Sequence, residues 1–522
     1  MAYPQGRQTY RKSSLQVQKH QFIRQLRDEN GDHTPTPSAP LSKEDVANLE
    51  EKISGRIVWP WSNTYNQDRQ EFDAVYQAFP LLIVFAANYA DVRISLQLAR
   101  ECNLHAAIRS GGHSFAGYSV CDGLVIDVSG LNNITVNPFD ETAYIETGCN
   151  FEKINPVLEF YGLHMPGGGC PTVCIGGYMQ GGGYGMTSRM FGMNCDNVLA
   201  CTVMLADGRV VVANAHQNED LYWALRGGTG GNFGVLLGVN YKLHPLGNIY
   251  GLQAKWPIED NLDIAAEVLY TLQETYLQPN AYPNLGIEAI LTSDSDDNNH
   301  KKIFFCATWI GDKDGFEAAL RPLLSIGSPE FRDLKHDKYS VINAYVLENT
   351  PSVPADIEAY GRSAIIERSL HQSEWKDILQ FFLTAPNQYA MIDMEGYGGQ
   401  INNVAVGSNA FIHRTAKLDF FCLSFFDAKT NDQQQCEDWM EAYYAFIAAY
   451  SNGHSYQNYP DRKQNNFRWA YWGAYYNQLV AIKNKYDPAN FFRYQQSIGP
   501  DRLDDDKQLL LFTEKPIIYE TY

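Results

Sequence analysis

The chain has 522 residues, with 41 Lys and Arg against 60 Asp and Glu, a formal charge of −19, 10 Cys, 41 Gly, 33 Tyr, 26 Phe and 9 Trp. At about 150 residues per domain, this is enough for two to four domains, each with a proper core. The negative charge argues against a nucleic-acid partner, which calls for a basic surface. The longest apolar runs, such as Leu81 to Ala87, fall far short of the roughly 20 residues that cross a bilayer, so no membrane span is expected.

Ten cysteines are too sparse for a disulfide scaffold, and no paired CxxC motif suggests a structural zinc. The basic residues Arg7, Arg11, Lys12 and Lys19 are not followed by an apolar core, so no secretory signal is visible and a cytoplasmic location is expected.

Residues 1–45 read as a polar arm, with a Pro-, Thr- and Ser-rich stretch from Asn30 to Pro40. A short helix beginning near Ser42 ends at Gly55. Pro80–Phe85 reads as a strand, Asp91–Asn103 as a helix and His105–Arg109 as a second strand. This strand leads into the turn Ser110-Gly-Gly-His-Ser-Phe-Ala-Gly117. From Gly123 to Thr147 the pattern is β-rich. Residues 161–185 contain ten glycines. Val198–Val212 reads as a hairpin turning at Ala206-Asp-Gly208, and the loop Arg226–Gly234 leads into a strand over Val235–Leu243. After His244-Pro245 the texture changes to longer helices (Leu262–Thr275, Asp314–Ser325, Gln433–Ala449) separated by strands such as Ile303–Thr308 and Leu418–Phe425, which marks a domain boundary. No internal repeat is evident.

A single glycine usually makes a turn. Three glycine-rich loops within about 125 residues suit a dinucleotide, because glycine lets backbone N–H groups approach a pyrophosphate. The GxGxxG fingerprint is nevertheless missing: Gly228-Thr-Gly230 is followed by Phe233 where glycine is required, and it precedes a strand. There is no P-loop, no G-x-S-x-G elbow around Ser114 and no HExxH zinc pattern. His113 and Cys170, one in each of the first two loops, are the reactive side chains placed where backbone could press against a flat cofactor.

These residues carry a resemblance. Arg109-Ser-Gly-Gly-His-Ser-Phe-Ala-Gly117 and Gly169-Cys-Pro-Thr-Val-Cys-Ile-Gly-Gly177 resemble the two flavin attachment segments of the berberine bridge enzyme-like oxidases, in the vanillyl-alcohol oxidase/p-cresol methylhydroxylase superfamily. The loop Asp220–Gly234 is similar to the next signature of that family, and Tyr456–Asp461, Tyr486–Phe492 and Gln496-Ser-Ile498 to its C-terminal segment.

The resemblance implies an α+β fold: a two-part FAD-binding domain (PCMH-type) and a substrate domain whose antiparallel sheet is covered by helices. The expected division is an arm over 1–45, the FAD-binding domain over 46–245, the substrate domain over 246–465, and a segment over 466–522 returning to the FAD domain. It implies FAD attached twice, through His113 to the 8α-methyl and through Cys170 to C6. Further FAD contacts are implied at Arg109, Ser110, Gly111, Gly112 and Ser114 in the first loop and at Gly169, Val173, Gly176 and Gly177 in the second. Gly228, Gly231 and Asn232 follow in the third, with Tyr459 and Gln496 near the C-terminus. Cys174 reads as a small buried thiol.

In alkaloid-type members of the family the base is a Glu on the strand after a His-Arg pair. Here His413-Arg414 precedes Leu418–Phe425, and Phe421 stands in the Glu position. Carbohydrate and polyketide-tailoring members use a Tyr helped by an acid or a second Tyr, which implies Tyr471 as base and Glu395 as proton acceptor, with Tyr397 and Tyr475 as neighbours that compete for the base role or contact substrate. A phenol near pKa 10 needs such a partner at neutral pH. Val173 falls where the family admits oxygen, favouring an oxidase. The expected activity is oxidation of a hydroxyl or hemiacetal carbon on a bulky polar molecule, an oligosaccharide or glycosylated natural product, with O2 reduced to hydrogen peroxide. The alternatives are an oxidative ring-closing enzyme of secondary metabolism and a flavin-binding module with little turnover. The expected partners are a small-molecule substrate and O2, with no metal, and no oligomeric state is assigned.

Overall fold

The computed structural model describes residues 41, 43–73, 75–331, 333–347, 357–427 and 432–499. Nearly all of the expected N-terminal arm, and the chain after residue 499, lie outside the described residues.

The first sheet contains β1 (Arg56–Val58), β2 (Leu82–Phe85), β3 (Ala106–Arg109) and β4 (Leu124–Asp127) in the order β1-β2-β4-β3. β2, β4 and β3 are parallel, and β1 closes one edge antiparallel to β2. β2 and the Leu124–Ile126 part of β4 read as apolar runs because their residues are buried on both faces. The helix Tyr89–Glu101 starts two residues before the sequence places it. Its cap is Asn88, whose side chain accepts the N–H groups of Ala90 and Asp91. Asp91 instead accepts the N–H groups of Ser54, Gly55 and Ala87, each at 2.9 Å, and so ties the first strand to the sheet.

The second sheet is antiparallel, with β5 (Ile134–Asn137), β6 (Thr142–Glu146), β8 (Val198–Met204), β9 (Val210–Asn214) and β10 (Val235–Lys242) in the order β5-β6-β10-β8-β9. β8 and β9 form the expected hairpin. A small ribbon pairs β7 (Leu163–His164) with β11 (His244–Pro245). The core of this sheet is completed from the other end of the chain. Helices Phe467–Trp472 and Tyr476–Tyr486 contribute Ala470, Trp472, Leu479 and Val480 to the cluster that holds Leu221, Leu225 and Phe233. Buried Lys483 locks this union: its ammonium donates to Asp487 Oδ2 at 2.7 Å and to the carbonyls of Asn232 and Phe492 at 2.6 and 2.5 Å.

The third sheet is antiparallel and has eight strands: β12 (Ile249–Pro257), β13 (Leu285–Asp294), β14 (His300–Trp309), β15 (Glu330–Phe331), β16 (Lys335–Asp337), β17 (Ile357–Ile366), β18 (Met391–Gly396) and β19 (Leu418–Asp427). Helices Leu262–Tyr276, Lys313–Leu324, Gln372–Phe382 and Gln433–Ala448 cover one face. Side chains alternate along each strand. Ile287, Ala289, Leu291, Ile392, Met394 and Phe420 therefore face these helices. Glu288, Ile290, Asp393, Glu395 and Phe421 turn to the opposite face, toward the glycine loops. The architecture is α+β, as expected.

Candidate active site

A cavity of about 950 Å³ lies between the glycine loops and the open face of the third sheet. The first loop leaves the C-terminal end of β3, where Gly112 adopts φ +67°, a conformation that costs glycine little. Ser110, Gly111, Gly112, His113 and Ser114 all line the cavity. The second loop contributes Gly169, Cys170, Val173, Gly176 and Gly177. A Cβ placed on Gly177 would meet nothing within 4 Å, so the backbone there is bare toward the cavity. The third loop contributes Thr229, Gly230 and Gly231.

His113 and Cys170 converge on one side chain. His113 Nε2 lies 3.0 Å from Thr172 Oγ1, and Cys170 Sγ lies 3.4 Å from the same hydroxyl. The His113 ring stacks on Phe72 with centroids 5.0 Å apart. Burial pushes its imidazole down to about 4, so it is neutral and nucleophilic near pH 7.

One C-terminal segment binds all three loops. Arg462 Nε donates to the Ala116 carbonyl at 2.6 Å, Asn458 Nδ2 to the Tyr178 carbonyl at 2.9 Å, and Gln457 Nε2 to the Gly227 carbonyl at 2.9 Å. Between these anchors stands Tyr459. Its hydroxyl donates to Glu395 Oε1 at 2.5 Å, and its ring stacks on Phe421 with centroids 3.6 Å apart and planes 5° from parallel. Phe421 thus supports a tyrosine where alkaloid-type relatives would place a carboxylate.

Glu395 belongs to a row of acids. Register pairs it with Glu288 on one side and Asp419 on the other. Carboxylate oxygens of Glu288, Asp393 and Glu395 lie within 4.8 Å of one another. Burial, followed by repulsion from Asp419, Asp393 and Glu288, pushes the Glu395 carboxyl well above the usual range. Burial raises Asp393 to about 7 and Asp419 to about 8. Burial and then the Glu395 charge raise the Tyr459 phenol, so a free phenolate there is disfavoured.

The structure corrects several expectations. Tyr471 and Glu395 are not partners. Tyr471 touches the cavity wall, but its hydroxyl donates to Gln496 Oε1 at 3.2 Å and accepts the Asp461 N–H at 3.1 Å, and the residue is only 2% exposed. It belongs to a side-chain lattice in which Gln496 in turn donates to the Asp461 carbonyl. Tyr397 is buried away from the cavity, stacked on Tyr184 at 5.3 Å. Tyr475 lies outside it, edge-on to Trp223. Neither lines the cavity. Arg109, Gly228 and Asn232 also do not line the cavity. Arg109 pairs with Asp127 at 2.5 Å beside a second, polar pocket of about 560 Å³ behind the His113 loop. A Cβ on Gly228 would strike the Ala224 carbonyl at 2.3 Å. Asn232 fastens the third loop by donating to Gly228 O and Thr229 Oγ1 and accepting the Ile498 N–H. His413 and Arg414 are structural: His413 Nε2 meets Gln457 Oε1 at 3.0 Å, and Arg414 forks onto Asp196 at 2.8 and 2.6 Å.

Sequence reasoning passed over Thr172, Glu288 and Asp393. An acid inside an otherwise apolar strand, as in Gly286-Ile-Glu-Ala-Ile-Leu291, was the available signal, since unpaired carboxylates are rarely buried in a core.

Bare backbone at Gly177, a neutral imidazole and a thiol at one end, and a volume able to hold a large flat group fit a flavin nucleotide. The comparisons agree. Residues 80–214 match the family model described as FAD binding domain, and residues 455–499 the one described as Berberine and berberine like. The chain is 30% identical to the uncharacterized FAD-linked oxidoreductase YgaK of Bacillus subtilis over 460 residues, covering 86% of this chain and 98% of that one. It is 27% identical to berberine bridge enzyme-like 12 of Arabidopsis thaliana, covering 80% and 84% of the two chains. Among solved structures it resembles berberine bridge enzyme-like 1 of Physcomitrella patens, with a TM-score of 0.79 at 25% identity, covering 88% of this chain and all of that one. A chitooligosaccharide oxidase shares the fold, with a TM-score of 0.77 at 23% identity and the same coverage. The chain belongs to the berberine bridge enzyme-like family of FAD-linked oxidoreductases, and FAD is its cofactor. No helix among the described residues is long and apolar enough to cross a membrane.

Proposed function

We propose that this FAD-linked oxidoreductase is an oxidase of a hydroxyl or hemiacetal carbon on a bulky polar substrate, an oligosaccharide or a glycosylated natural product. Its FAD is held through both the His113 ring nitrogen and the Cys170 sulfur. The observation that carries the reading is the Tyr459–Glu395 hydrogen bond in the cavity wall. Bound FAD supplies the hydride acceptor and passes its electrons to O2, giving hydrogen peroxide.

Tyr459 is the general base. A phenolate would be costly in this buried setting, and the short bond removes the need for one. As Tyr459 takes the substrate's hydroxyl proton, its own proton moves to Glu395 Oε1. Glu395 suits that role because its surroundings raise its proton affinity. Phe421 fixes the Tyr459 ring plane, and the aromatic wall of Phe72, Phe115 and Phe421 offers faces for a sugar or fused ring to stack on.

The test is anaerobic titration with a panel of oligosaccharides, followed by air. Loss of visible flavin absorbance with a sugar, and its return with one peroxide released per turnover, supports the reading. Bleaching only by a substrate without an oxidisable hydroxyl would transfer it to oxidative ring closure, and no bleaching at all to a binding module.

A further inference from the structure

We infer that Thr172 is the positioning residue for flavin attachment, a single hydroxyl that prepares both nucleophiles. The inference rests on the attachment reading above. Thr172 Oγ1 lies 3.0 Å from His113 Nε2 and 3.4 Å from Cys170 Sγ. The three residues come from two different loops, and the hydroxyl lies between the two nucleophiles.

A hydroxyl accepts through its lone pairs and donates one proton. If Nε2–H donates to Oγ1 and the hydroxyl donates onward to Sγ, both contacts are satisfied in one direction. That arrangement fixes the imidazole tautomer and leaves its nucleophilic lone pair on Nδ1. It also places a donor on the sulfur and holds it beside the imidazole. His113 is suited to this because burial keeps it neutral, and its stacking on Phe72 restrains ring rotation.

The bookkeeping of each attachment closes. One C–H of the cofactor and one N–H or S–H of the protein are replaced by a single C–N or C–S bond, and two protons and two electrons leave. O2 takes these up as hydrogen peroxide, so two attachments consume two O2. Thr172 is neither consumed nor bonded to the cofactor; it sets which nitrogen is free and holds the sulfur in place.

The experiment is proteolytic peptide mapping of the protein purified in full length. Doubly attached flavin joins the peptide containing His113 to the peptide containing Cys170. Wild type is expected to give the joined peptide as its main flavin species. Thr172→Val, which keeps the volume and loses the hydroxyl, is expected to lose most of it in favour of singly attached or released flavin. Thr172→Ser is expected to restore it. A thermal melt establishes that each variant is folded, with Thr172→Ala replacing Val if Val is not. A Val or Ala variant that is joined as fully and as fast as wild type overturns the inference. So does a Ser variant that fails like Val, since packing rather than the hydroxyl would then matter. Absence of the joined peptide from wild type itself would overturn the attachment reading beneath it, a result visible before any variant is made.

Discussion

Tyr459 and Glu395 share a 2.5 Å hydrogen bond across the cavity wall, although 64 residues separate them in the chain. Glu395 stands on β18 of the large sheet, while Tyr459 belongs to the segment that clasps the glycine loops. The bond therefore forms only when the two halves of the molecule meet.

Tyr459→Phe removes the hydroxyl proposed as base and keeps the ring stacked on Phe421. Anaerobic flavin reduction should slow by about 10²-fold or more, the order expected for loss of a general base. Tyr471→Phe should stay within a few-fold of wild type, because among the described residues its hydroxyl bonds Gln496 and the Asp461 N–H. Stopped-flow reduction of the two variants separates these roles, and a reversed result would return the base to Tyr471.

Glu395 must be ionised to receive the Tyr459 proton. Its pKa is raised by burial and by the neighbouring acids, so the reduction rate should fall as pH is lowered through a value well above the ordinary 4.5 of a glutamate. Glu395→Gln should abolish that acid limb along with most of the rate. An unchanged pH profile in the variant would show that another group governs it.

Acid precipitation should leave the flavin colour on the protein. His113→Ala and Cys170→Ala should each retain one attachment with an altered flavin spectrum, and a double variant should release the colour to the supernatant. Colour released from wild type would end the covalent reading.

Asp419 is buried beside Glu395, and its carboxyl is raised from 3.8 to about 8 by burial. The folded protein keeps this proton over a range where the unfolded chain has lost it. The stability it confers is thus full below about pH 4 and is lost as pH rises toward 8, at up to about 1.4 kcal/mol per pH unit for one group. Asp419→Asn cannot ionise and keeps an oxygen for the Ser363 hydroxyl. Denaturant melts should show the variant gaining on wild type between about pH 5 and about pH 8; a constant gap would contradict the shift.

Lys483→Met should lower stability by about 3–5 kcal/mol, because it leaves Asp487 buried and unpaired. The melting temperature of the holoprotein checks this.

The three loops were legible because their requirement is strict. Bare backbone at Gly177 and close approach of one loop to the next at Gly111 and Gly176 demand glycine, and glycine is visible as a letter. The α+β class was legible from the mixture of strand and helix patterns along the chain. Tyr459 was read as a cofactor contact and Tyr471 as the base because both lie in recognisable segments only twelve residues apart. Which one reaches Glu395 depends on how that segment crosses the large sheet, and no local pattern encodes this. Asn232 and Gly228 sit in the third loop, where the Asn232 side chain bonds the loop itself and Gly228 packs against the Ala224 carbonyl. Arg109 adjoins the first loop, but Asp127 claims its charge.

The clasp made by Gln457, Asn458 and Arg462 also bears on the order of events during synthesis. His113 and Cys170 leave the ribosome some 290 to 350 residues before the segment that closes over them. Until then the large sheet has no tyrosine to meet Glu395, and the three loops have no common anchor. The cofactor's house is roofed last. A nascent chain, or one truncated before Tyr456, should emerge colourless rather than merely slow, because the cavity's wall is complete only in the finished protein.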